Sequence, residues 1–136
     1  MDNPGIKNLG DFSLTTAGTQ MSTATLDLAG MTAVSLQVRL AYGSGGTTAR
    51  AYVQTSLDQA TTWVDVACIL FGTASEVDIV NLSGLTPKTS EATPTDGALA
   101  DDTCVDGVLG DRLRCKVVTT GTYAGSTVLS FRGVVR

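Results

Sequence analysis

The chain contains no histidine among its 136 residues. Ser-His-Asp and Cys-His nucleophilic catalysis are therefore excluded, and so is every metal site built on imidazole ligands. Paired carboxylates offer another route to hydrolysis, and Asp58 with Asp65 or Asp101 with Asp102 are the pairs to consider, but their spacing favours neither. We therefore expect a protein that is not an enzyme and needs no cofactor.

Charge and aromatic residues are also scarce. Charged residues make up 16% of the chain and aromatic residues 5%, against 43% hydrophobic residues in total. This charge content is below that of an average soluble domain, so little of the surface serves solubility alone. Such chains are often completed by neighbours in an assembly, and a compact monomer is the alternative.

Long apolar runs are absent. A transmembrane helix needs ~20 apolar residues, and the longest candidate, residues 64–72, is broken by Asp65. The first ten residues, MDNPGIKNLG, lack the basic segment and apolar core of a signal peptide. We expect no membrane contact and synthesis in the cytoplasm.

The 3 cysteines show no C-x-x-C spacing, so a zinc site is not predicted. Cys68 and Cys115 fall at inward-facing strand positions and are interpreted as small core residues. Cys104 lies in a polar loop and is the most accessible. Because the count is odd, an intersubunit disulfide through Cys104 is a further possibility.

Thr, Val, Gly and Ala dominate the chain, and turn residues separate short alternating segments, which predicts an all-β fold. The predicted strands cover residues 12–16, 22–28, 33–42, 48–56, 62–71, 75–82, 112–119 and 127–136, the last two as a closing hairpin. About seven or eight antiparallel strands predict a β-sandwich or jelly-roll-like barrel with one long acidic loop. Residues 1–20 are interpreted as an N-terminal arm or edge strand, and residues 21–136 as a single β-sandwich domain.

The predicted strand at residues 62–71 is apolar on both faces. Alternation places Val64, Val66, Cys68 and Leu70 on one face, and Trp63, Asp65, Ala67 and Ile69 on the other. A central strand buried on both sides is one explanation. An outer face covered by a neighbouring subunit is the other.

Between the strands at residues 48–56 and 62–71, Ser56, Asp58, Thr62 and Trp63 fit the pattern S-x-D-x-G-x-T-W. This resembles the Asp-box of sialidase-like β proteins, although Ala60 replaces the usual glycine. The resemblance implies a structural hairpin turn, in which the carboxylate accepts hydrogen bonds from turn amides and the indole packs on the sheet. A single copy does not predict a propeller.

The segment at residues 83–111 has no strand pattern and is rich in turn residues and acids. A loop of this length is usually functional or ordered by a partner. Its acids suggest hard oxygen ligands for calcium, but their order does not follow an EF-hand, and a solvated or partner-facing loop is the preferred interpretation. They are Glu91, Asp96, Asp101, Asp102, Asp106 and Asp111.

After Asp111 the chain has five basic residues and no acid. Arg112, Arg114 and Lys116 share one face of a strand while Leu113, Cys115 and Val117 enter the core. Intramolecular salt bridges are one interpretation, and head-to-tail contacts between acidic loop and basic strand of neighbouring subunits are the other. Nucleic-acid binding is disfavoured because the protein is acidic overall. The residues assigned to the subunit interface are Asp96, Asp101, Asp102, Asp106, Arg112, Arg114, Lys116 and Arg132.

The segments YVQTSLDQATTWVDVA and TPTDGALADDTCVDGVLGDRLRCKVVTTGTYAGSTVLSFR resemble small accessory structural proteins of tailed bacteriophages. The resemblance implies a non-enzymatic virion component of β-sandwich type, present in many copies as a head decoration or around the neck and collar. Its partners would be other copies of itself and other virion proteins. A carbohydrate- or receptor-binding β-sandwich is the alternative, suggested by the aromatic residues Tyr42, Tyr52, Trp63 and Tyr123.

Overall fold

Two antiparallel sheets pack against each other, as the strand pattern predicts. The computed structural model describes residues 4–22 and 25–136, and no described residue lies in a helix. The all-β sandwich is therefore confirmed.

The first sheet has four long strands. Their spatial order is β1 (Gly5–Ser13), β12 (Val128–Val135), β4 (Ala33–Ala41) and β8 (Glu76–Ser83), and every neighbouring pair is antiparallel. β1 and β8 are thus the two edges of this sheet. Both are long, with nine and eight residues.

The second sheet has short strands at its edges. Its order is β2 (Gly18–Met21), β10 (Arg112–Thr120), β6 (Thr48–Ser56), β7 (Val64–Phe71) and β9 (Thr103–Cys104), and β3 (Leu26–Asp27) also pairs with β10. A separate two-stranded piece joins β5 (Ser44–Gly45) to β11 (Tyr123–Ala124).

The core lies between the two sheets and follows the alternation of the sequence. In β4, the side chains of Val34, Leu36, Val38 and Leu40 are buried while the residues between them are more exposed, in agreement with the alternation predicted for the strand at residues 33–42. Across the core, β10 contributes the buried residues Leu113, Cys115 and Val117, also as predicted. Phe12 and Phe131 meet edge to face with ring centroids 5.5 Å apart, a favourable aromatic arrangement.

The predicted closing hairpin is wrong. β10 pairs with β6 in one sheet, whereas β12 pairs with β1 and β4 in the other. The segment between them crosses from sheet to sheet, with Tyr123 buried and its hydroxyl donating to the carbonyl of Gly72 at 2.8 Å. Two strands that follow each other in the chain can pair with other strands in different sheets of a sandwich. The sequence does not reveal which strands pair.

The predicted faces of β7 are also partly wrong, because the strand contains a bulge. Val53 pairs with Ala67 and Gln54 with Asp65, so Val66 is an extra residue on β7. A bulge reverses the alternation beyond it. Ala67, Ile69 and Phe71 consequently belong to the core, whereas Cys68 does not.

The N-terminal segment belongs to the sandwich. β1 is an edge strand that begins earlier than the predicted residues 12–16, and Phe12 and Leu14 lie in the common core. The boundary drawn between residues 20 and 21 falls inside β2. The strand predicted at residues 22–28 lies partly on residues 23–24, outside the described residues, and β3 is its described part.

Candidate functional site

The Asp-box-like turn joins β6 to β7 and is held by its own side chains. The Ser56 hydroxyl accepts a hydrogen bond from the amide of Ala60 at 2.8 Å and donates to Asp58 Oδ1 at 2.9 Å. Asp58 Oδ1 accepts from the Thr62 amide at 2.8 Å, and the Thr62 hydroxyl donates to Oδ2. The hydrogen bonds from Thr62 and Ser56 lower the pKa of Asp58.

Ala60 occupies the position where the pattern normally has glycine, and it keeps the glycine conformation. Its φ is +70°, and Gln59 before it has φ +57°. The left-handed region costs an L-residue with a Cβ roughly 1–2 kcal/mol. The turn therefore forms as the motif implies, with backbone strain at Ala60.

The long loop folds back over the outer face of the second sheet. At its centre, the carboxylate of Asp65 on β7 is 1% exposed and accepts hydrogen bonds from five donors. The donors are Gln54 Nε2 at 2.7 Å, Thr95 Oγ1 at 2.8 Å and the amides of Gly97 at 2.8 Å, Ala98 at 3.0 Å and Leu99 at 3.2 Å. Burial alone would raise the pKa of Asp65, but the hydrogen bonds from Gln54, Gly97, Ala98 and Thr95 lower it overall.

Gln54 connects this carboxylate to the basic strand. Its Nε2 also donates to Asp96 Oδ1 at 2.6 Å, and its Oε1 accepts from Arg114 Nε at 2.7 Å. Lys116 Nζ lies 3.0 Å from Asp96 Oδ1, and the Arg114 guanidinium lies 4.3 Å from the ring centroid of Trp63. The pKa of Asp96 is lowered by the hydrogen bonds from Gln54 and Lys116.

The loop is also attached to β6 and β7 through two of its own residues, Asp101 and Asp102. Arg50 donates to both carboxylate oxygens of Asp101, from Nε at 2.7 Å and from Nη2 at 3.2 Å. The neighbouring Asp102 accepts from the amide of Leu70 on β7 at 3.0 Å. β9 then pairs with β7, so the loop is ordered by the chain's own sheet. Of the two explanations for the apolar faces of β7, burial on both sides within the chain describes the structure.

The charged residues predicted for a subunit interface form intramolecular ion pairs on both sheets. Arg112 binds Asp27 and Asp111, both at 3.1 Å, on the same sheet as the Asp96 pairs. Arg132 lies on the opposite sheet and binds Asp11 at 3.0 Å. The interpretation as intramolecular salt bridges thus describes these contacts. Asp106, which is also assigned to the interface, is exposed. A role of these residues between subunits stays a prediction.

Neither a metal cluster nor a membrane-spanning helix is found in the described part of the chain. Among residues 4–22 and 25–136, no three acidic or cysteine side chains are grouped so that they could hold a metal ion. Asp101 and Asp102, considered for calcium, point to Arg50 and to the Leu70 amide instead. The same residues include no helix long and apolar enough to cross a membrane.

All four aromatic residues considered for sugar binding make contacts within the protein. Tyr52 and Tyr123 are buried, and Trp63 faces Arg114. Tyr42 contacts Tyr123 edge to face, and its hydroxyl donates to the Gly45 carbonyl at 2.8 Å. They do not form an exposed flat platform.

All three cysteines are free thiols. Cys115 is a core residue as predicted, whereas Cys68 is buried beneath the loop, with its Sγ 3.8 Å from Asp101 Oδ1. Burial, followed by the nearby Asp101 carboxylate, raises the pKa of Cys68 to about 11. Cys104 is exposed as predicted, although partial burial of its thiol, followed by the Asp106 carboxylate, raises its pKa.

The two edges of the four-stranded sheet expose large apolar side chains. Ile6 on β1 is 84% exposed, and Val77 and Ile79 on β8 are 50% and 73% exposed. Glu76 and Asp78 lie two residues apart on β8. Burial and the neighbouring Asp78 carboxylate raise the pKa of Glu76. Among the described residues, β1 and β8 each have a neighbouring strand in this sheet on one side only. Exposed apolar side chains on such an edge strand favour strand pairing between chains.

Sequence reasoning missed the roles of Gln54 and Thr95. Both belong to the network around Asp65, and neither residue type stands out in a strand or a Thr-rich loop. One signal was available in the sequence. Asp65 interrupts the apolar run VDVACILF, and a carboxylate buried in a strand requires donors from elsewhere in the chain.

We compared the chain with models of known protein families and with curated protein sequences. Neither comparison finds a match.

Proposed function

We propose that this chain is a non-enzymatic structural component of a tailed-phage virion. It assembles in many copies on the neck and collar or on the capsid surface, and it contacts other copies of itself and other virion proteins. It is made in the host cytoplasm and carries out its role in the particle, without binding nucleic acid or membrane.

The exposed edges of the four-stranded sheet carry this proposal. The second sheet ends in strands of four and two residues, which is a common way to prevent edge pairing. The first sheet ends in two long strands with Ile6, Val77 and Ile79 exposed. Monomeric proteins usually protect such edges, so contact with other chains accounts for them.

The resemblance of two segments to accessory phage proteins supports a location in a tailed-phage virion. The low charge of the chain fits a surface that is partly covered by neighbours. The anchored loop fits as well, because Asp65 and Asp101 hold it against the sheet and give each subunit a fixed outer face.

The carbohydrate- or receptor-binding alternative has less support. Sugar platforms need exposed aromatic faces, and Tyr52 and Tyr123 are buried. Binding to an array of glycans would favour this alternative.

The proposal is tested on particles and on the free protein. Mass spectrometry and immunogold labelling of purified phage particles that carry the gene should find the protein in many copies at one location. Light scattering on the purified chain should give a mass above that of one subunit. A monomer that never enters particles would contradict the proposed function.

A further inference from the structure

We propose that copies of this chain join head to tail, with β1 of one copy adding to the free edge of β8 on the next. The inference deepens the proposed assembly and rests on it. A second copy of the chain occupies the β8 edge, and the two copies together form one continuous antiparallel sheet.

The strand directions of the four-stranded sheet allow this addition. Its four strands alternate in direction, so the two edge strands, β1 and β8, run in opposite directions. A second copy in the same orientation therefore brings its β1 antiparallel to β8. Each added copy again exposes a β8 edge, which makes the contact heterologous and able to close into a ring.

One register matches the side chains on both faces of the new pair. When Ile6 of one copy lies opposite Ile79 of the next, Lys7 lies opposite Asp78. Ile6 and Ile79 both lie on the outer face, since they align with the outward-facing Ser35 and Gln37 of β4 through the observed pairings. The pair covers the two most exposed isoleucines of the described chain.

Lys7 and Asp78 share the opposite side of the sheet. Lys7 aligns with Leu36 through Gly133, and Asp78 pairs with Val38, and both of these β4 residues are buried. In the same register, the Lys7 ammonium reaches the edge that carries Glu76 and Asp78. These carboxylates lie on one side of β8 two residues apart, and a cation there relieves their mutual repulsion.

A two-fold contact between two β8 strands is less favourable. β8 has the sequence EVDIVNLS, with two carboxylates and no cation. Pairing it with itself would bring four carboxylates to one seam without a neutralising charge from either strand. β1 supplies both the apolar side chain and the cation that the β8 edge lacks.

Disulfide trapping tests the pairing directly. In a full-length Cys104→Ser background, Ile6→Cys and Ile79→Cys are prepared as separate variants and oxidised mildly, alone and mixed. We expect a linked dimer only in the mixture, because a heterologous contact places residue 6 next to residue 79 and neither residue next to itself. A mixture of Ile6→Cys with Ser35→Cys is the matched control. Ser35 is exposed on the same face but lies one strand inside the edge, and we expect no link.

Charge exchange provides a second test that does not depend on cysteine. Lys7→Asp and Asp78→Lys should each weaken self-association at least ~10-fold, because like charges then face each other across the new pair. The double variant should restore association, as measured by sedimentation velocity, with circular dichroism to verify folding. Folded single variants that associate normally would overturn the pairing, and so would a double variant that stays dissociated.

The two proposals fail in different ways. Linkage of Ile79→Cys to itself, or assembly into particles without a link between positions 6 and 79, overturns the head-to-tail pairing and leaves the virion role intact. Absence of the protein from particles overturns the virion role. A protein that stays monomeric at all concentrations and forms no link overturns the pairing as well.

Discussion

The carboxylate of Asp65 accepts a hydrogen bond from the backbone amide of Gly97, which lies 32 residues later in the chain. This contact fixes the long acidic loop to the outer face of the sheet. The amides of Ala98 and Leu99 point at the same carboxylate, so three successive backbone N–H groups form a small anion-binding nest. The sequence predicts that this loop is solvated or faces a partner, whereas in the structure Asp65 and Asp101 hold it against its own sheet.

Asp65→Asn should destabilise the protein by about 2–3 kcal/mol, because an amide cannot accept from five donors and its own NH2 group faces other donors. Chemical denaturation measures the loss. Hydrogen exchange at residues 97–99 should accelerate more than exchange in β4. The matched control is Asp106→Asn, which changes an exposed carboxylate in the same loop. An equal loss in both variants would show that Asp65 has no special role.

Stability should fall in acid, starting near pH 4. The pKa values of Asp65 and Asp96 are lowered in the folded protein from the ordinary aspartate value of 3.8. Such carboxylates stabilise the fold fully above the unfolded pKa, and they lose this contribution as the pH falls through the folded pKa, because the unfolded chain binds protons first. Thermal melts between pH 7 and pH 2 should show this decline. The decline should be shallower in Asp65→Asn, and an unchanged slope would contradict the assignment.

Ala60→Gly should stabilise the protein by up to about 1 kcal/mol. Glycine removes the cost of the left-handed conformation at φ +70°, and part of the gain is offset by the greater freedom of glycine in the unfolded chain. Ala74→Gly is the control, since Ala74 is exposed in a bend and does not have a positive φ. We expect it to be slightly destabilising. If both variants lose the same stability, the turn at Ala60 is not strained.

A thiol reagent at neutral pH should modify one cysteine in the folded protein and three after unfolding. Cys104 is exposed, whereas Cys115 is buried in the core and Cys68 lies beneath the loop with a pKa raised to about 11. Cys104→Ser should abolish the fast reaction. Rapid labelling of Cys68 would indicate that the loop opens. A non-reducing gel of assembled protein tests the predicted intersubunit disulfide, which should also disappear in Cys104→Ser.

The candidate site was only partly predictable, and the reason is visible in β7. Alternation correctly places Arg112, Arg114 and Lys116 on one face of β10, because no bulge interrupts that strand. The bulge at Val66 moves Cys68 from the predicted core face to the face beneath the loop. A one-residue bulge cannot be recognised in the sequence of an apolar strand, because the residues on both of its faces are apolar.

The sequence by itself determined the local features of this protein. Period-two alternation defined the buried face of β4, and the residues of the Asp-box-like turn formed their predicted hairpin, since both depend on neighbours a few positions apart. Only the tertiary structure decided that β10 and β12 belong to different sheets, that the loop closes over Asp65, and which strands remain as open edges. Alternation specifies which way a side chain points. The choice of the strand beside it depends on the packing of residues far apart in the chain.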